Sequence, residues 1–226
     1  MSTLTTPPAS TLLERLFAEA EATEIATDQG TVTFTQEDRT GVMTSKDDYR
    51  LLYAKMKNMH LAVSRETATL LYMLARATRA RAIVEYGTSF GLSTIHLAAA
   101  LKDNGGGRVI GTEFVSSKVE RARANIAAAG LAEFVEIREG DALETLAHNL
   151  PETIDLVLLD GAKPLYTQVL SLLEPHLRTG ALIVADNADH CPDYLARVRT
   201  PGGGYLCTPI AGDVELSMRV DASAAT

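Results

Sequence analysis

No apolar run in this 226-residue sequence comes near the roughly 20 residues that a bilayer crossing requires, so no membrane span is expected. The first ten residues, Met1 to Ser10, are small, polar and proline-containing. They lack the basic region and apolar core of a secretory signal, and none is expected there. Cysteine is scarce: Cys191 and Cys207 have no metal-type spacing and are too few for a disulfide framework. A reducing cytoplasm is the plain expectation. Positive charge is the minority sign, with 21 Lys and Arg against 29 Asp and Glu. The net charge of −8 argues against a phosphate backbone as the main ligand, so neither a nucleic acid nor a membrane is expected as partner. Internal repeats are absent. So are the dinucleotide pattern Gly-x-Gly-x-x-Gly and the Gly-Lys-Ser/Thr of a P-loop.

What is present is an alternation of strand-like and helix-like segments in a chain that is 46% hydrophobic and 22% charged. The length suits one domain with a large core and would leave two cramped. Residues 11–21 carry apolar positions at helical spacing after a Ser/Thr-rich start that could cap them. Residues 22–45 are polar and Gly/Thr-rich and are expected to be irregular. Helical stretches follow at about 46–59 and 64–79, the second opening with Ser64-Arg65-Glu66-Thr67. Strand-like runs then appear at 81–86, 108–113, 133–138, 154–160 and 180–186, separated by helical segments at about 91–102, 115–129, 142–149 and 164–177. Such alternation predicts βαβ units and a parallel sheet with right-handed crossovers. Residues 205–210 and 214–220 differ, because only Ala-Gly-Asp separates them. That link is too short for a parallel crossover and predicts an antiparallel hairpin. The organisation expected is an N-terminal arm with one helix over 1–45, a main domain over 46–220 and a tail over 221–226.

Chemistry concentrates where the predicted strands end. The run Ile154 to Leu159 ends on Asp160, followed by Gly161-Ala162-Lys163, and the run Ala181 to Ala185 ends on Asp186-Asn187. Carboxyl ends of parallel strands line the ligand crevice. Asp160, Asp186 and Asn187 would therefore offer hard oxygen ligands side by side, a set suited to magnesium or a similar divalent ion. The first strand of the series runs through Glu85 and Tyr86 into Gly87-Thr88-Ser89-Phe90-Gly91-Leu92-Ser93, a glycine turn that lets a ligand approach the backbone. Glu113 ends the next strand, where an acid can accept both hydroxyls of a ribose. Asp141 follows the third, where a carboxylate could face an adenine amino group. A glycine turn is often only a turn, and an acid ending a strand often only caps a helix. In this order over three βα units, they point to an adenosine-containing cofactor.

These residues resemble class I S-adenosylmethionine-dependent methyltransferases, specifically the cation-dependent O-methyltransferases that include the catechol and caffeoyl-coenzyme A enzymes. The resemblance covers roughly residues 45–220 and rests on Val84 to Ser93, Gly111-Thr112-Glu113, Leu159 to Lys163 and Ala185-Asp186-Asn187. It implies an α/β fold, Rossmann-like and doubly wound, with a mostly parallel seven-stranded sheet, a C-terminal antiparallel hairpin and an N-terminal helical cap. It also implies a homodimer. By the family pattern Glu85, Gly87, Thr88 and Ser93 surround the methionine part of S-adenosylmethionine, and the backbone of Val63 touches it. Glu113 holds the ribose, Asp141 and Ala142 contact the adenine, and Asp160 adjoins the cofactor as well as the metal. Asp160, Asp186 and Asn187 match the metal ligands, with magnesium the first candidate, and Lys163 matches the general base. Gly161-Ala162 departs from the catechol enzymes, which carry a bulky aromatic residue and His near this position.

The implied reaction is methyl transfer from S-adenosylmethionine to a hydroxyl of a small phenolic or catechol-like acceptor. A phenol, with a pKa near 10, is a poor nucleophile at neutral pH unless a cation stabilises its anion. Two other classes stay open: a metal-independent methyltransferase acting on nitrogen or carbon, and a non-catalytic protein that keeps the cofactor cleft. Bland readings stand beside the sharp ones. Lys163 alone reads as a solvated lysine at a helix start, and His190 as a loop residue. Cys191, Cys207, Met56 and Met59 read as packing residues, while Glu215 and Arg219 are expected to point to solvent from a terminal strand.

Overall fold

The computed structural model describes residues 2–28 and 49–220. The boundary expected at 45/46, most of the segment expected to be irregular and the tail at 221–226 lie outside the described residues. The strands are β1 (Ala82–Tyr86), β2 (Arg108–Glu113), β3 (Val135–Glu139), β4 (Ile154–Leu159), β5 (Leu177–Ala185), β6 (Tyr205–Ala211) and β7 (Val214–Arg219). They form one seven-stranded sheet in the order β3-β2-β1-β4-β5-β7-β6. The first five pair in parallel, and β7 runs antiparallel to both β5 and β6. This is the doubly wound, Rossmann-like architecture with a C-terminal hairpin. Tyr86 pairs with Leu159 and Leu159 with Ala185, so β1, β4 and β5 end level with one another. That level edge is what brings the strand-end residues together.

Alternation along the strands splits the core into two layers. Ile83, Leu156, Leu158 and Val184 pack on one face, beneath α1 (Ala9–Asp28), α3 (Arg65–Ala77), α4 (Leu92–Asp103) and α5 (Ser116–Ala128). Val84, Val157, Leu159 and Ile183 pack on the other, with α6 (Ala142–Thr145), α7 (Tyr166–Leu173) and α8 (Pro192–Val198). Helix α4 is buried at every position from Leu92 to Leu101, because α1 and α3 cover the side that faces away from the sheet. A helix apolar all round has to be sandwiched in this way. Ser64 caps α3, its hydroxyl accepting from Thr67 N at 3.0 Å. Of the described helices before residue 80, α2 (Tyr49–Lys55) lies over the strand ends, while α1 and α3 belong to the layer on the sheet.

Two expectations are corrected here. Glu215 and Arg219 are 2% and 7% exposed rather than solvated. Strand β7 is last in sequence but lies inside the sheet between β5 and β6. Glu215 accepts from Arg199 Nε and Nη2 at 2.8 and 2.7 Å, and Arg219 pairs with Glu174 at 3.2 Å. The stretch 188–204 also contains α8, which opens on Pro192, a residue suited to the first helical position. Among the described residues no helix is long and apolar enough to cross a membrane.

Candidate active site

The glycine turn after β1 is held from two sides. Gly87 has φ +101°, and a Cβ there would lie 2.5 Å from the Asp160 carbonyl oxygen. The backbone N–H groups of Gly87 and Thr88 donate to Thr112 O at 3.3 and 3.0 Å. Glu85 is fully buried and faces away from the cleft. Its carboxylate accepts from Thr88 Oγ1 at 2.9 Å, Ser93 Oγ at 2.7 Å and Thr94 Oγ1 at 2.5 Å. Burial pushes its pKa up to about 7, with the three hydroxyls pulling the other way. Glu85, Thr88 and Ser93 thus knot the turn to the start of α4. Thr88 and Ser93 also line a small recess with His60, Leu61 and Ala62, and Val63 follows with its side chain in the core.

Beyond the turn a cleft of about 540 Å³, counted out to its mouth, runs along the ends of β1 to β4. Gly87, Glu113, Asp141, Ala142 and Asp160 all line it. Glu113 accepts from Ser89 N at 3.0 Å and from Phe114 N and Val115 N at 2.9 Å each, while burial raises its pKa. Asp141 caps α6 through Leu143 N at 2.9 Å, and also accepts from Tyr49 Oη at 3.2 Å and pairs with Arg50. Tyr53, one turn further along α2, donates to Gly161 O at 3.3 Å, and Phe114 meets both tyrosine rings edge-on at 6.2 Å. These aromatic walls were not foreseen, because nothing in the sequence says which face of α2 meets the strand ends. Lys118 was missed as well: it lines the cleft at 2% exposure, its Nζ 3.4 Å from Ser89 Oγ.

At the β4 and β5 end sit the acidic residues. Lys163 is 5% exposed, so it is not a solvated helix-start lysine. Its Nζ donates to Asp160 Oδ1 and to Tyr166 Oη, both at 3.0 Å, and Tyr166 Oη donates to Asp186 O at 2.8 Å. Burial would lower the Lys163 pKa, but Asp160, Tyr53 and Asp186 outweigh it and hold it above the ordinary lysine value. The Asp186 carboxyl is pushed up to about 7 by burial and then by Asp160, and Asp160 is raised by burial. Burial and, at Asp186, repulsion from Asp160 outweigh the pull of the Lys163 ammonium, so the pair retains protons to higher pH than solvated acids would. Asn187 takes a left-handed conformation (φ +50°), and its Nδ2 donates to Asp213 Oδ2 at 2.7 Å. Among the described residues no group of three or more His, Cys, Asp or Glu is placed to hold a metal. The set expected from the sequence, Asp160, Asp186 and the Asn187 amide oxygen, has only two carboxylates and so falls below that count. It fits a hard divalent cation, since such an ion relieves the crowding of Asp160 against Asp186.

Tyr86 explains why Gly161 is small. A Cβ on Gly161 would fall 2.5 Å from the Tyr86 ring, and Tyr86 Oη accepts from Ala162 N at 3.1 Å. The wall that a bulky residue would form after Asp160 is occupied here from β1.

With this geometry in view, residues 84–188 match a family of methyltransferase domains. The chain is 38% identical over 130 residues to a catechol O-methyltransferase from Niastella koreensis, a stretch covering 56% of this chain and 58% of that protein. It is 38% identical over 127 residues to a catechol O-methyltransferase from Mycobacterium tuberculosis, covering 56% and 57%. It thus spans less than two thirds of the length of these curated relatives. Among solved structures, cofactor-bound Rv0187 from MTB superposes with a TM-score of 0.66 at 28% identity, covering 81% of this chain and 95% of that one. An O-methyltransferase from Bacillus cereus in complex with SAH shares the fold at 23% identity and a TM-score of 0.66, covering 91% of this chain and 100% of its own. Over residues 84–188 the chain is therefore similar to methyltransferase domains, and over a little more than half its length to the O-methyltransferases among these relatives.

Proposed function

We propose that this protein transfers a methyl group from S-adenosylmethionine to a hydroxyl of a small phenolic or catechol-like acceptor, with a divalent cation, magnesium first, at Asp160, Asp186 and Asn187. The observation that carries the reading is the packing of the Asp160 backbone against Gly87. It sets the acidic pair directly beside the turn at which a cofactor would lie.

S-adenosylmethionine supplies the methyl group on a sulfonium, and a bound divalent cation supplies Lewis acidity that stabilises negative charge on the acceptor oxygen. The chain's own residues do the positioning. Glu113 has hydrogen-bond capacity left toward a ribose, Asp141 and Ala142 line the adenine end, and Tyr49 and Tyr53 exclude water from above. Holding nucleophile, methyl carbon and sulfur in line can contribute on the order of 7–11 kcal/mol. Lys163 is the base in this reading. Its raised pKa depends on the negative charge of Asp160, Tyr53 and Asp186. If a cation took up the charge of the two aspartates, burial would weigh more heavily on Lys163 and favour its neutral amine, the form that accepts a proton.

The test is methyl transfer to a panel of catechols and simple phenols by the purified chain, as prepared, after chelation, and after magnesium is restored. Product bearing one extra methyl, lost on chelation and regained with magnesium, is expected. Transfer indifferent to chelator would defeat the metal assignment. Cofactor binding without transfer to any acceptor would favour the binding protein.

A further inference from the structure

The tip of the β6–β7 hairpin reaches the acidic residues, and no part of the reaction scheme above uses it. Asp213 Oδ2 accepts from Asn187 Nδ2 at 2.7 Å, and Asp213 O accepts from Ala188 N at 2.7 Å. The second contact ties the hairpin to the backbone just after Asn187. The first decides which way the amide points. A carboxylate offers only acceptors, so it selects the NH2 side of the Asn187 amide and turns the Oδ1 side away. Only that oxygen can serve a hard cation. Asp213 is not itself part of a cluster placed to hold a metal among the described residues. Its carboxylate also adds repulsion to Asp160 and Asp186, so only its hold on Asn187 is specific to orientation.

Resting on the cation site proposed above, we infer that Asp213 is a positioning residue that locks the Asn187 amide with Oδ1 free for the metal. The C-terminal hairpin then has a task beyond closing the sheet. It carries the support for a ligand that sits on a different strand end and in a left-handed conformation, where the backbone alone would leave the amide free to turn over. Supports of this kind typically govern metal affinity by 10- to 100-fold. Because the turn at Asp213 is exposed, its side chain can be changed without opening the core.

The experiment is Mn²⁺ titration of the full chain by electron paramagnetic resonance, with S-adenosylhomocysteine affinity measured by calorimetry on the same samples. Asp213→Ala should weaken Mn²⁺ binding at least about tenfold, leaving S-adenosylhomocysteine affinity within about twofold. Asp213→Glu, whose carboxylate still offers only acceptors to Asn187, should stay within about threefold of the parent. Asp186→Ala serves as the ligand control and should abolish Mn²⁺ binding. If Asp186→Ala abolishes binding while Asp213→Ala matches the parent, the role of Asp213 falls and the cation site stands. If Asp213→Ala weakens Mn²⁺ binding just as much in an Asn187→Ala background, the charge of Asp213 rather than its hold on Asn187 is at work and the inference is overturned. A parent chain that binds no Mn²⁺ overturns the cation site and this inference together.

Discussion

Lys163 shows how one side chain takes its properties from its neighbours. It is buried, bonded to Asp160 and Tyr166, and kept charged by carboxylates that a cation would engage. If it serves as the base, its removal should act on chemistry rather than on binding. General base catalysis is worth roughly 10²- to 10⁴-fold. Lys163→Ala is expected to lower kcat by about that factor while S-adenosylmethionine affinity, read by calorimetry, changes little. Near-full turnover in the variant would remove Lys163 from the mechanism.

The element that organises the cleft is the turn between β1 and α4. Its glycine at 87 combines a positive φ with a contact that excludes any side chain, since a Cβ would lie 2.5 Å from Asp160 O and 2.7 Å from Gly161 N. Both atoms are backbone, so neither can swing aside. Gly87→Ala should therefore destabilise the fold by a few kcal/mol and weaken cofactor binding sharply. Urea denaturation and calorimetry would measure the two effects. A variant with parental stability and affinity would show that the turn relaxes at little cost. The same construction links the two halves of the proposed site, because β4 can carry Asp160 to the turn only where residue 87 has no side chain.

Across the whole molecule, two buried groups make stability depend on pH in opposite senses. Burial lowers the His96 pKa to about 4, and its Nδ1 lies 2.9 Å from Leu92 O. Below its ordinary value near 6.5 the unfolded chain takes up a proton that the fold refuses. This contribution is intact above about pH 6.5 and is lost as pH falls toward 4. Glu85, raised to about 7, works the other way: the fold keeps a proton that the unfolded chain releases, so its contribution declines as pH rises from about 4.5 to 7. The two largely offset each other near pH 5–6, and a single variant exposes the remaining one. Stability of His96→Gln relative to the parent should rise on going from pH 6.5 to 5, by about 2 kcal/mol at most. Urea denaturation at the two pH values measures it, and an unchanged difference would show that His96 is protonated in the fold or does not titrate.

The alternation of Val, Ile and Leu runs with helical segments was enough to predict a mostly parallel sheet closed by a hairpin, because strand period and linker length are local properties. The strand-end residues Gly87, Glu113, Asp141, Asp160 and Asp186 could be read as site candidates for the same reason: a parallel strand delivers its last residue to one edge. Other features depended on neighbours that no local pattern names. Strand β7 looked terminal and lies inside the sheet, so Glu215 and Arg219 are buried rather than solvated. Helix α8, seven residues long, is too short to show a helical period in the sequence. Glu85 was expected around the methionine part of the cofactor, and the three hydroxyls that donate to its carboxylate could not be read from local spacing. The orientation of Asn187 depends on Asp213, 26 residues further along the chain. The sequence by itself determined which elements form and what their ends carry, through spacing and polarity within a few residues. Tertiary structure alone decided which way the polar side chains point and which are stripped of water, because those depend on groups brought together across the sheet.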